Sequence, residues 1–361
     1  METIEQVLLK YWGFKHFRPL QEEIIKSVLE GNDTIALLPT GGGKSITFQV
    51  PALVKPGTCI VVTPLISLMI DQVKKLEKLG IRAFAIHSGL TYNEINNILN
   101  HCIYGDAKFL YISPERIQSD YFKVKAQYLK VNFIVVDEAH CISQWGYDFR
   151  PSYLQIIKLR EFYTDVPVLA LTATATSKVI DDIREKLGFS SKFKLFKTSF
   201  ERKNLVYLVR NVEDKLNYIV KSLKNVSGSG IIYVRNRKTA KEIALLLIKN
   251  KISADYYHAG LTIDVRNEKQ LAWQNGHIRI IVATNAFGMG IDKANVRFVI
   301  HYDLPVSIEA YFQETGRAGR DGKKSFVVLL FNKSDIVKAE QRVSLTFPEI
   351  DQIKAVYQAL C

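Results

Sequence analysis

The 361-residue sequence contains few cysteines and no cysteine pair of the kind that binds zinc. Its four cysteines, Cys59, Cys102, Cys141 and Cys361, are scattered, and none belongs to a Cys-x-x-Cys motif. Zinc sites and disulfide frameworks both need cysteines at short, repeated spacings. We therefore predict neither zinc nor a disulfide framework, a pattern typical of a protein in a reducing cytosol.

Long apolar runs are also missing. The longest candidate, residues 59–70, is interrupted by Pro64 and is shorter than the ~18–20 apolar residues that a membrane span needs. The first residues include Glu2 and Glu5 and no apolar stretch typical of a signal peptide. The sequence therefore predicts no membrane partner and a cytoplasmic location, at the nucleoid if the source is bacterial.

Acidic residues are outnumbered. The chain has 49 Lys and Arg against 36 Asp and Glu, a net charge of +13. A basic balance favours a polyanionic partner, and nucleic acid is the commonest one. On charge alone, a lysine-rich surface that only aids solubility is an equal alternative.

Short apolar segments alternate with amphipathic ones along the whole chain. This alternation predicts parallel sheets covered by helices on both faces, an α/β fold. An apolar stripe predicts helices near residues 68–79 and 238–249. The predicted strands are residues 35–38, 59–63, 83–86, 109–112, 133–136, 168–171, 230–234, 254–257, 279–282, 298–301 and 326–331.

The alternation breaks over residues 192–210, which are basic and polar. A chain of this length exceeds one ordinary domain. We therefore predict a first domain over residues 1–205 and a second over residues 206–345. Residues 346–361 read as an isolated helix that begins a further module.

A glycine-rich segment follows the first predicted strand and precedes a predicted helix. Backbone N–H groups of such a loop bind phosphates, and the helix dipole favours their negative charge. Lys44 is expected to reach the β- and γ-phosphates of a nucleotide, and Ser45 to hold Mg²⁺. Leu38 stands where the strict motif has its first glycine, so a turn without a ligand is the alternative. The segment comprises Thr40, Gly41, Gly42, Gly43, Lys44 and Ser45.

An Asp-Glu-Ala-His tetrad at residues 137–140 follows the apolar run of residues 133–136. Asp137, at the carboxyl end of a strand, is expected to hold the same Mg²⁺. Glu138 is then available to orient and deprotonate the attacking water. Solvated carboxylates at a strand end are the alternative interpretation.

Two segments of the second half complete a nucleotide site in this interpretation. Residues 313–322 contain Arg317 and Arg320, three residues apart and able to face the same way. A guanidinium against a γ-phosphate stabilises charge that develops during phosphoryl transfer; a surface ion pair is the alternative. Residues 283–292 end a predicted strand, and there Gly290 suits close approach to a ligand while Asp292 is placed to accept from a ribose hydroxyl. A plain turn is the alternative.

Aromatic residues mark two further candidate contacts. Trp145 and Arg150 lie in a loop directly after the tetrad, where exposed rings stack on unpaired bases unless they pack on the core. Near the N-terminus, Phe14 and Arg18 are placed to sandwich an adenine ring whose edge Gln21 reads. An ordinary helix start is the alternative there.

These strings, in this order, resemble the helicase core of superfamily 2, and in detail the RecQ family of DNA helicases. The aromatic-rich string HCISQWGYDFRPSY after the tetrad is the most specific, and the others include FRPLQ, TGGGKS, VVTPLISLMIDQV, YISPER, LTATAT, YHAGL, ATNAFGMGIDK and QETGRAGRDG. The resemblance covers roughly residues 10–335. It implies two tandem RecA-like domains and a monomer that hydrolyses ATP with Mg²⁺ and moves 3′ to 5′ on DNA.

The resemblance also implies roles for individual residues. Gln313, Arg317, Arg320, Lys44 and Glu138 would act in catalysis, with Arg320 favoured as the residue at the γ-phosphate. Thr172 and Thr174 would couple hydrolysis to motion. Residues facing single-stranded DNA would be Thr63, Pro64, Ser113, Trp145, Phe149, Arg150, Tyr233, Asn236 and His258.

Three functions follow as hypotheses. The first is a helicase for forked or duplex DNA in recombination and repair. The second is an ATP-gated clamp on single-stranded nucleic acid, since the sequence does not extend into the zinc module and winged helix that family members typically carry. The third is an RNA helicase, against which the aromatic loop argues.

Overall fold

The computed structural model describes residues 2–39, 41–146, 148–199, 201–288 and 293–360. The chain divides into two compact units, residues 1–201 and 202–361, so that the units meet a few residues before the predicted boundary. Arg202 and Asn204 each donate a hydrogen bond of 2.8 Å to the Gly319 carbonyl. These contacts hold the first residues of the second unit against the backbone of that unit at Gly319.

The first unit contains a seven-stranded sheet. Its strands are β1 (Thr34–Leu37), β2 (Thr58–Val62), β3 (Ala83–Ile86), β4 (Phe109–Ile112), β5 (Val131–Val136), β6 (Val168–Thr172) and β7 (Lys194–Lys197). They are ordered β3-β4-β2-β5-β6-β1-β7, and the pairings described are all parallel. The helices are α1 (Ile4–Trp12), α2 (Gln21–Leu29), α3 (Ile46–Val54), α4 (Ile66–Lys78), α5 (Tyr92–Tyr104), α6 (Pro114–Ile117), α7 (Asp120–Ala126), α8 (Leu159–Phe162) and α9 (Ser177–Lys186).

The second unit contains a six-stranded parallel sheet ordered β10-β11-β9-β12-β13-β8. Its strands are β8 (Leu205–Asn211), β9 (Ser229–Tyr233), β10 (Ala254–Tyr257), β11 (Ile280–Ala283), β12 (Val296–His301) and β13 (Ser325–Phe331). Its helices are α10 (Lys215–Asn225), α11 (Arg237–Lys249), α12 (Ile263–Gln274), α13 (Ile308–Thr315), α14 (Lys333–Thr346) and α15 (Ile350–Leu360).

Both sheets are covered on two faces, as the strand composition predicted. Along β1, Ile35 and Leu37 join one apolar cluster while Ala36 joins the cluster on the other face. Along β9, Ile232 and Ile231 divide in the same way. This alternation confirms the predicted α/β class, because only a strand buried on both sides needs a continuous apolar run.

Two strands lie where the sequence predicted none. β7 lies within residues 192–210 and β8 begins there and ends at Asn211, and both are edge strands. An edge strand pairs on one side only and tolerates charged, exposed side chains, so it lacks the apolar run that marks a central strand. The sequence analysis therefore missed both strands. The predicted helices at residues 68–79 and 238–249 are confirmed as α4 and α11.

Because the strands of each sheet are parallel, their carboxyl ends line one edge. In the first unit this edge carries the glycine-rich loop after β1 and the acidic tetrad after β5. β6 lies between β1 and β5 and brings Thr172 to the same edge. The fold therefore brings together segments that lie far apart in the sequence.

Candidate active site

The glycine-rich loop connects β1 to α3. Gly41 and Gly43 have left-handed backbone, with φ of 81° and 80°. A β-carbon on Gly42 would lie 2.9 Å from the Pro39 carbonyl oxygen, so a side chain is excluded there. Ser45 precedes the first residue of α3 and makes no capping hydrogen bond through its side chain. The loop thus leads backbone N–H groups into a helix start, the arrangement that binds phosphate. Thr40 lies outside the described residues.

Two residues of the predicted adenine site contact this loop. The Arg18 guanidinium donates a hydrogen bond of 2.6 Å to the Gly41 carbonyl. The Gln21 amide donates one of 3.0 Å to the Gly43 carbonyl and accepts one of 2.9 Å from the Arg18 N–H. Gln21 is buried, whereas Phe14 is 52% exposed. The predicted adenine-reading residues therefore also determine the shape of the phosphate loop.

The acidic pair follows β5 in a strained turn. Glu138 adopts left-handed backbone, φ 49° and ψ 45°, which is uncommon for a residue with a β-carbon. The turn is held by the Glu138 N–H, which donates to Asp137 Oδ1 at 3.0 Å, and by the Tyr153 hydroxyl, which donates to the Asp137 carbonyl at 2.9 Å. Lys44 Nζ lies 3.8 Å from Glu138 Oε1. The chain thus brings the lysine of the loop to the carboxylate of the tetrad.

His140 connects this carboxylate to the next strand. Its Nδ1 lies 3.4 Å from Glu138 Oε2 and 3.0 Å from the Thr172 hydroxyl. The Thr172 hydroxyl donates to the Thr174 carbonyl at 3.1 Å, so it accepts from His140, which places a proton on Nδ1. Burial lowers the pKa of His140, and a neutral imidazole fits this contact. The sequence interpretation gave His140 no role; a histidine directly after an acidic pair was the available signal.

Two carboxyl groups, those of Asp137 and Glu138, lie near one ammonium group, that of Lys44, at the carboxyl edge of the first sheet. Burial and then the neighbouring Glu138 carboxylate raise the pKa of Asp137, Lys44 opposes both, and the net pKa is about 6. Two adjacent carboxylates facing one ammonium suit a divalent cation, and with the Ser45 hydroxyl they form the oxygen donor set that Mg²⁺ prefers. In the described part of the chain, no three His, Cys, Asp or Glu side chains cluster as metal ligands. A nucleotide-bound Mg²⁺ needs only one or two protein ligands, so the residues present fit it.

Predicted DNA-facing residues of the first unit lie after neighbouring strands. Thr63 and Pro64 follow β2, Ser113 follows β4, and both hydroxyl-bearing side chains are buried. The Arg150 guanidinium donates to Asp148 Oδ2 at 3.0 and 3.1 Å and to the Pro64 carbonyl at 3.1 Å. Arg150 therefore attaches the aromatic loop to the segment after β2.

The aromatic loop presents one ring to solvent. Trp145 is 67% exposed, which excludes packing on the core, whereas Phe149 is half-buried. The Trp145 N–H donates to the Ser143 hydroxyl at 3.1 Å, and this hydroxyl donates to Asp182 of α9 at 2.5 Å. The loop backbone is thus held while its indole ring remains largely exposed to solvent.

Predicted DNA-facing residues of the second unit differ in exposure. Tyr233 is buried, and its hydroxyl donates to the Phe287 carbonyl at 2.8 Å, a packing role. Asn236 is exposed and caps α11, accepting from the Thr239 N–H at 2.7 Å. His258 stacks on Tyr256, with ring centroids 5.6 Å apart. Burial lowers the pKa of His258, and the charges of Arg237 and Lys269 lower it further.

The two arginines of the second unit have distinct surroundings. Arg317 is buried and its guanidinium donates to the Gly288 carbonyl, whereas Arg320 is half-buried. Gln313, on α13, is buried. Spacing alone could not separate the two arginines, but their burial does. Gly290 and Asp292 lie outside the described residues.

No helix in the described ranges is long and apolar enough to cross a membrane.

Two family models match the chain in succession. The first, DEAD/DEAH box helicase, matches residues 18–183, and the second, Helicase conserved C-terminal domain, matches residues 213–322. A solved structure, S. cerevisiae Dbp5 bound to RNA and ADP BeF3, is similar with a TM-score of 0.73 and 18% identity. The likeness covers 99% of this chain and 97% of that one, and at this identity it shows the fold alone. The chain therefore has the two-domain core of a superfamily 2 helicase.

Curated relatives identify the family. The chain is 46% identical to the ATP-dependent DNA helicase RecQ of Bacillus subtilis, over 93% of this chain and 57% of that protein. It is 42% identical to the probable ATP-dependent DNA helicase RecS of the same organism, over 100% of this chain and 73% of that protein. The chain belongs to the RecQ family of helicases. It spans little more than half the length of the first of these relatives.

Proposed function

We propose that this chain is an ATP-driven motor that moves 3′ to 5′ along single-stranded DNA and separates duplex or forked DNA, in recombination and repair. Membership of the RecQ family supports a DNA helicase, because the relatives described above are named ATP-dependent DNA helicases. The net charge of +13 suits a polyanionic substrate. The proposal includes action as a monomer in the cytoplasm, at the nucleoid if the source is bacterial.

ATP binds, in this proposal, at the carboxyl edge of the first sheet. The N–H groups of Gly41, Gly42 and Gly43 surround the phosphates, with Thr40 completing the loop, and the Lys44 ammonium neutralises the β- and γ-phosphates. Phe14 and Arg18 enclose the adenine, and Gln21 reads its edge. Contacts of Arg18 and Gln21 with the loop carbonyls support this, since base recognition and loop shape then depend on the same side chains.

Mg²⁺ would be held by Asp137 and Ser45. When bound, it would neutralise charge on the phosphate oxygens of ATP. The carboxylate of Asp137 suits a divalent cation. Asp137 and Glu138 together carry two negative charges when ionised, and Lys44 neutralises only one of them.

Hydrolysis uses Glu138 as the general base. Its carboxylate accepts a proton from water, which attacks the γ-phosphorus as the bond to the β-phosphate oxygen breaks. His140 contacts this carboxylate and the Thr172 hydroxyl at the same time, so it orients the carboxylate and links it to Thr172. Thr172 and Thr174 then couple hydrolysis to motion. The observation that carries the proposal is this continuous line of contacts, from Lys44 to Glu138 to His140 to Thr172.

The second unit contributes the arginine that stabilises the transferring phosphate. We assign this role to Arg320, because Arg317 is already buried against the Gly288 carbonyl. Gln313 assists on the same segment, Asp292 contacts the ribose, and Gly290 allows the nucleotide to approach closely. Binding of ATP by residues of both units would make domain closure depend on the nucleotide.

Single-stranded DNA contacts residues after the strands of both sheets. Exposed Trp145 stacks on a base, and the other proposed contacts are a mixture of polar, charged and apolar side chains. The set is Thr63, Pro64, Ser113, Phe149, Arg150, Asn236 and His258. Tyr233, predicted to face the strand, is left out because it is buried and its hydroxyl is bonded to the Phe287 carbonyl.

Steady-state ATP hydrolysis without nucleic acid, with single-stranded DNA and with RNA of equal length tests the proposal. Stimulation by DNA and not RNA is expected, followed by displacement of a strand from a duplex with a 3′ tail and not a 5′ tail. Equal stimulation by RNA would favour the RNA helicase. Tight DNA binding that depends on ATP, without strand displacement, would favour the ATP-gated clamp.

A further inference from the structure

Lys178 covers one face of the exposed tryptophan. Its ammonium lies 4.6 Å from the centroid of the Trp145 ring. Both side chains are solvent-exposed, and Trp145 is 67% exposed. Neither the family models nor the sequence interpretation assigns Lys178 a role. A cation over an exposed ring contributes only about 0.5–1 kcal/mol, so this contact is easily exchanged for a stronger one.

Both members of the pair are held by one helix, α9. Lys178 and Asp182 are four residues apart and lie on the same side of α9. Asp182 accepts the hydrogen bond of the Ser143 hydroxyl, and this hydroxyl in turn accepts from the Trp145 N–H. The backbone of the tryptophan and the stem of the lysine are therefore placed together before any ligand arrives.

The chemistry of the pair fits one nucleotide of a single strand. An indole ring stacks on any base, since every base has a π-face. An ammonium on a flexible four-carbon stem binds phosphate as a point charge. A base and the ammonium cannot occupy the same face of the ring at once, so a base that stacks there displaces the lysine toward the strand, whose nearest anion is a phosphate.

We infer that Trp145 and Lys178 form a two-point clamp in which the ring binds a base and the ammonium binds a neighbouring phosphate. This inference rests on the proposed function, in that it requires single-stranded DNA to reach the aromatic loop. It adds a charged contact to a loop whose predicted contacts were mainly aromatic.

The clamp also lies next to the hydrolytic site in the chain. Thr172 ends β6, and α9 begins five residues later at Ser177. Thr172 contacts His140 beside the catalytic carboxylate. The clamp therefore uses two segments that each lead to the hydrolytic site: the loop that follows the tetrad, and α9, which follows Thr172.

The test compares the salt dependence of binding in two charge-matched variants. Affinity for a fluorescent oligothymidylate is measured at 50–200 mM salt for the wild type, Lys178→Gln and Arg184→Gln. Arg184 is an exposed cation of the same helix and lies away from the tryptophan, so it is the control. Loss of one phosphate contact to a single strand should lower the salt slope by about 0.7. The affinity ratio of wild type to Lys178→Gln should therefore shrink about two- to threefold across this salt range.

Quenching of tryptophan fluorescence supplies the second readout, since Trp145 is the exposed one of three tryptophans and Trp273 is buried. Quenching by DNA should persist in Lys178→Gln, and Lys178→Arg should restore the salt slope. Equal slopes in Lys178→Gln and Arg184→Gln would overturn the clamp. Tighter binding by Lys178→Gln would also overturn it, because the lysine would then only compete with the base. If the wild type does not bind DNA, both the clamp and the proposed function fail. If the wild type binds DNA and the two variants have equal slopes, only the clamp fails.

Discussion

The two units share a parallel sheet covered on both faces, yet they differ in charge and in how their helices begin. The first unit has 24 Lys and Arg against 21 Asp and Glu, whereas the second has 25 against 15. Most of the net positive charge therefore lies in the second unit. After β1, α3 begins at a glycine loop without a side-chain cap, whereas α11 begins after β9 with Asn236 as its cap.

This difference shows how one architecture supports two tasks. A helix start without a side-chain cap leaves backbone donors for a ligand, so the first unit is suited to bind phosphate. The capped start of α11 in the second unit has its first N–H groups partly satisfied by Asn236, and the positive charge of this unit favours an anionic partner. Function depends on the residues at the ends of the strands and not on the fold itself.

The largest effect is expected from removing the arginine that the second unit supplies. Arg320→Ala should lower kcat for ATP hydrolysis by about 10³-fold or more, since it removes charge stabilisation of the transferring phosphate. Because Arg320 is half-buried, its replacement should change the free energy of unfolding less than replacement of the buried Arg317. Arg317→Ala should instead lower that free energy by about 1.5–3 kcal/mol, because it removes a buried, charged hydrogen bond to Gly288. Steady-state kinetics and urea unfolding separate the two, and near-normal kcat in Arg320→Ala would refute the assignment.

Removal of the base in the first unit comes next. Glu138→Gln should lower kcat by about 10²–10⁴-fold, because an amide does not accept the proton of water. Binding of ATP and DNA should persist, which equilibrium titrations with both ligands would measure. Turnover close to that of the wild type would place the base elsewhere.

Trp145→Ala probes DNA recognition by the less charged unit. Basal hydrolysis should persist, while most stimulation by single-stranded DNA is lost. Affinity should fall by about 1–3 kcal/mol for one lost stacking contact. The salt slope should not change, since a ring neutralises no phosphate. Trp145→Phe serves as the control and should keep most of the stimulation. A stimulation ratio equal to that of the wild type would exclude a role for the ring in coupling.

The different starts of α3 and α11 predict different losses of folding stability when the residue before each helix is changed to alanine. Asn236→Ala should lower the free energy of unfolding by about 1 kcal/mol, and Asn236→Ser should restore most of it. Ser45→Ala is the matched change in the first unit and should cost little, because this hydroxyl does not cap α3. Chemical denaturation of the three variants tests the comparison, which fails if Ser45→Ala and Asn236→Ala are equally destabilising.

The smallest effect concerns Asp303 of the second unit. Burial raises its pKa, with Asp335 adding to the rise and Lys215 opposing it. A carboxyl whose folded pKa exceeds its unfolded value stabilises the fold at low pH and loses that contribution as pH rises through the folded pKa. Asp303→Asn keeps an acceptor for the Arg235 N–H and should slightly stabilise the chain at pH 7. The gain should shrink as the pH falls through the folded pKa of Asp303, because the wild-type carboxyl then takes up a proton. Unfolding measured over a series of pH values would show this, and a gain that grows in acid would contradict it.

Strands with an apolar run were predictable from the sequence, including the edge strands β3 and β10, whereas the edge strands β7 and β8, with charged and exposed residues, were not. Strands buried on both faces, such as β5, require apolar runs that are visible in the sequence. β7 lies at an edge, carries lysines, and lacks that signal. A strand of this kind is determined by its neighbour β1, which no local pattern reveals.

In the candidate site, too, some features could be predicted from the sequence and others could not. The order of the glycine loop and tetrad follows from the motifs, because parallel strands bring their carboxyl ends together. The contacts of Gln21 with the loop and of His140 with Thr172 depend on packing across distant segments. Burial of Tyr233 could have been predicted, since it ends an apolar run in a strand buried on both faces.

The left-handed backbone at Glu138 has a consequence for selection. Such a conformation costs about 1–2 kcal/mol for a residue with a β-carbon, and glycine adopts it freely. The most stabilising replacement at this position is therefore one that removes the base. If Glu138 is the base, as proposed, a library screened only for heat resistance would enrich Glu138→Gly and accumulate folded, inactive chains, so directed evolution of this chain has to select for turnover at every round.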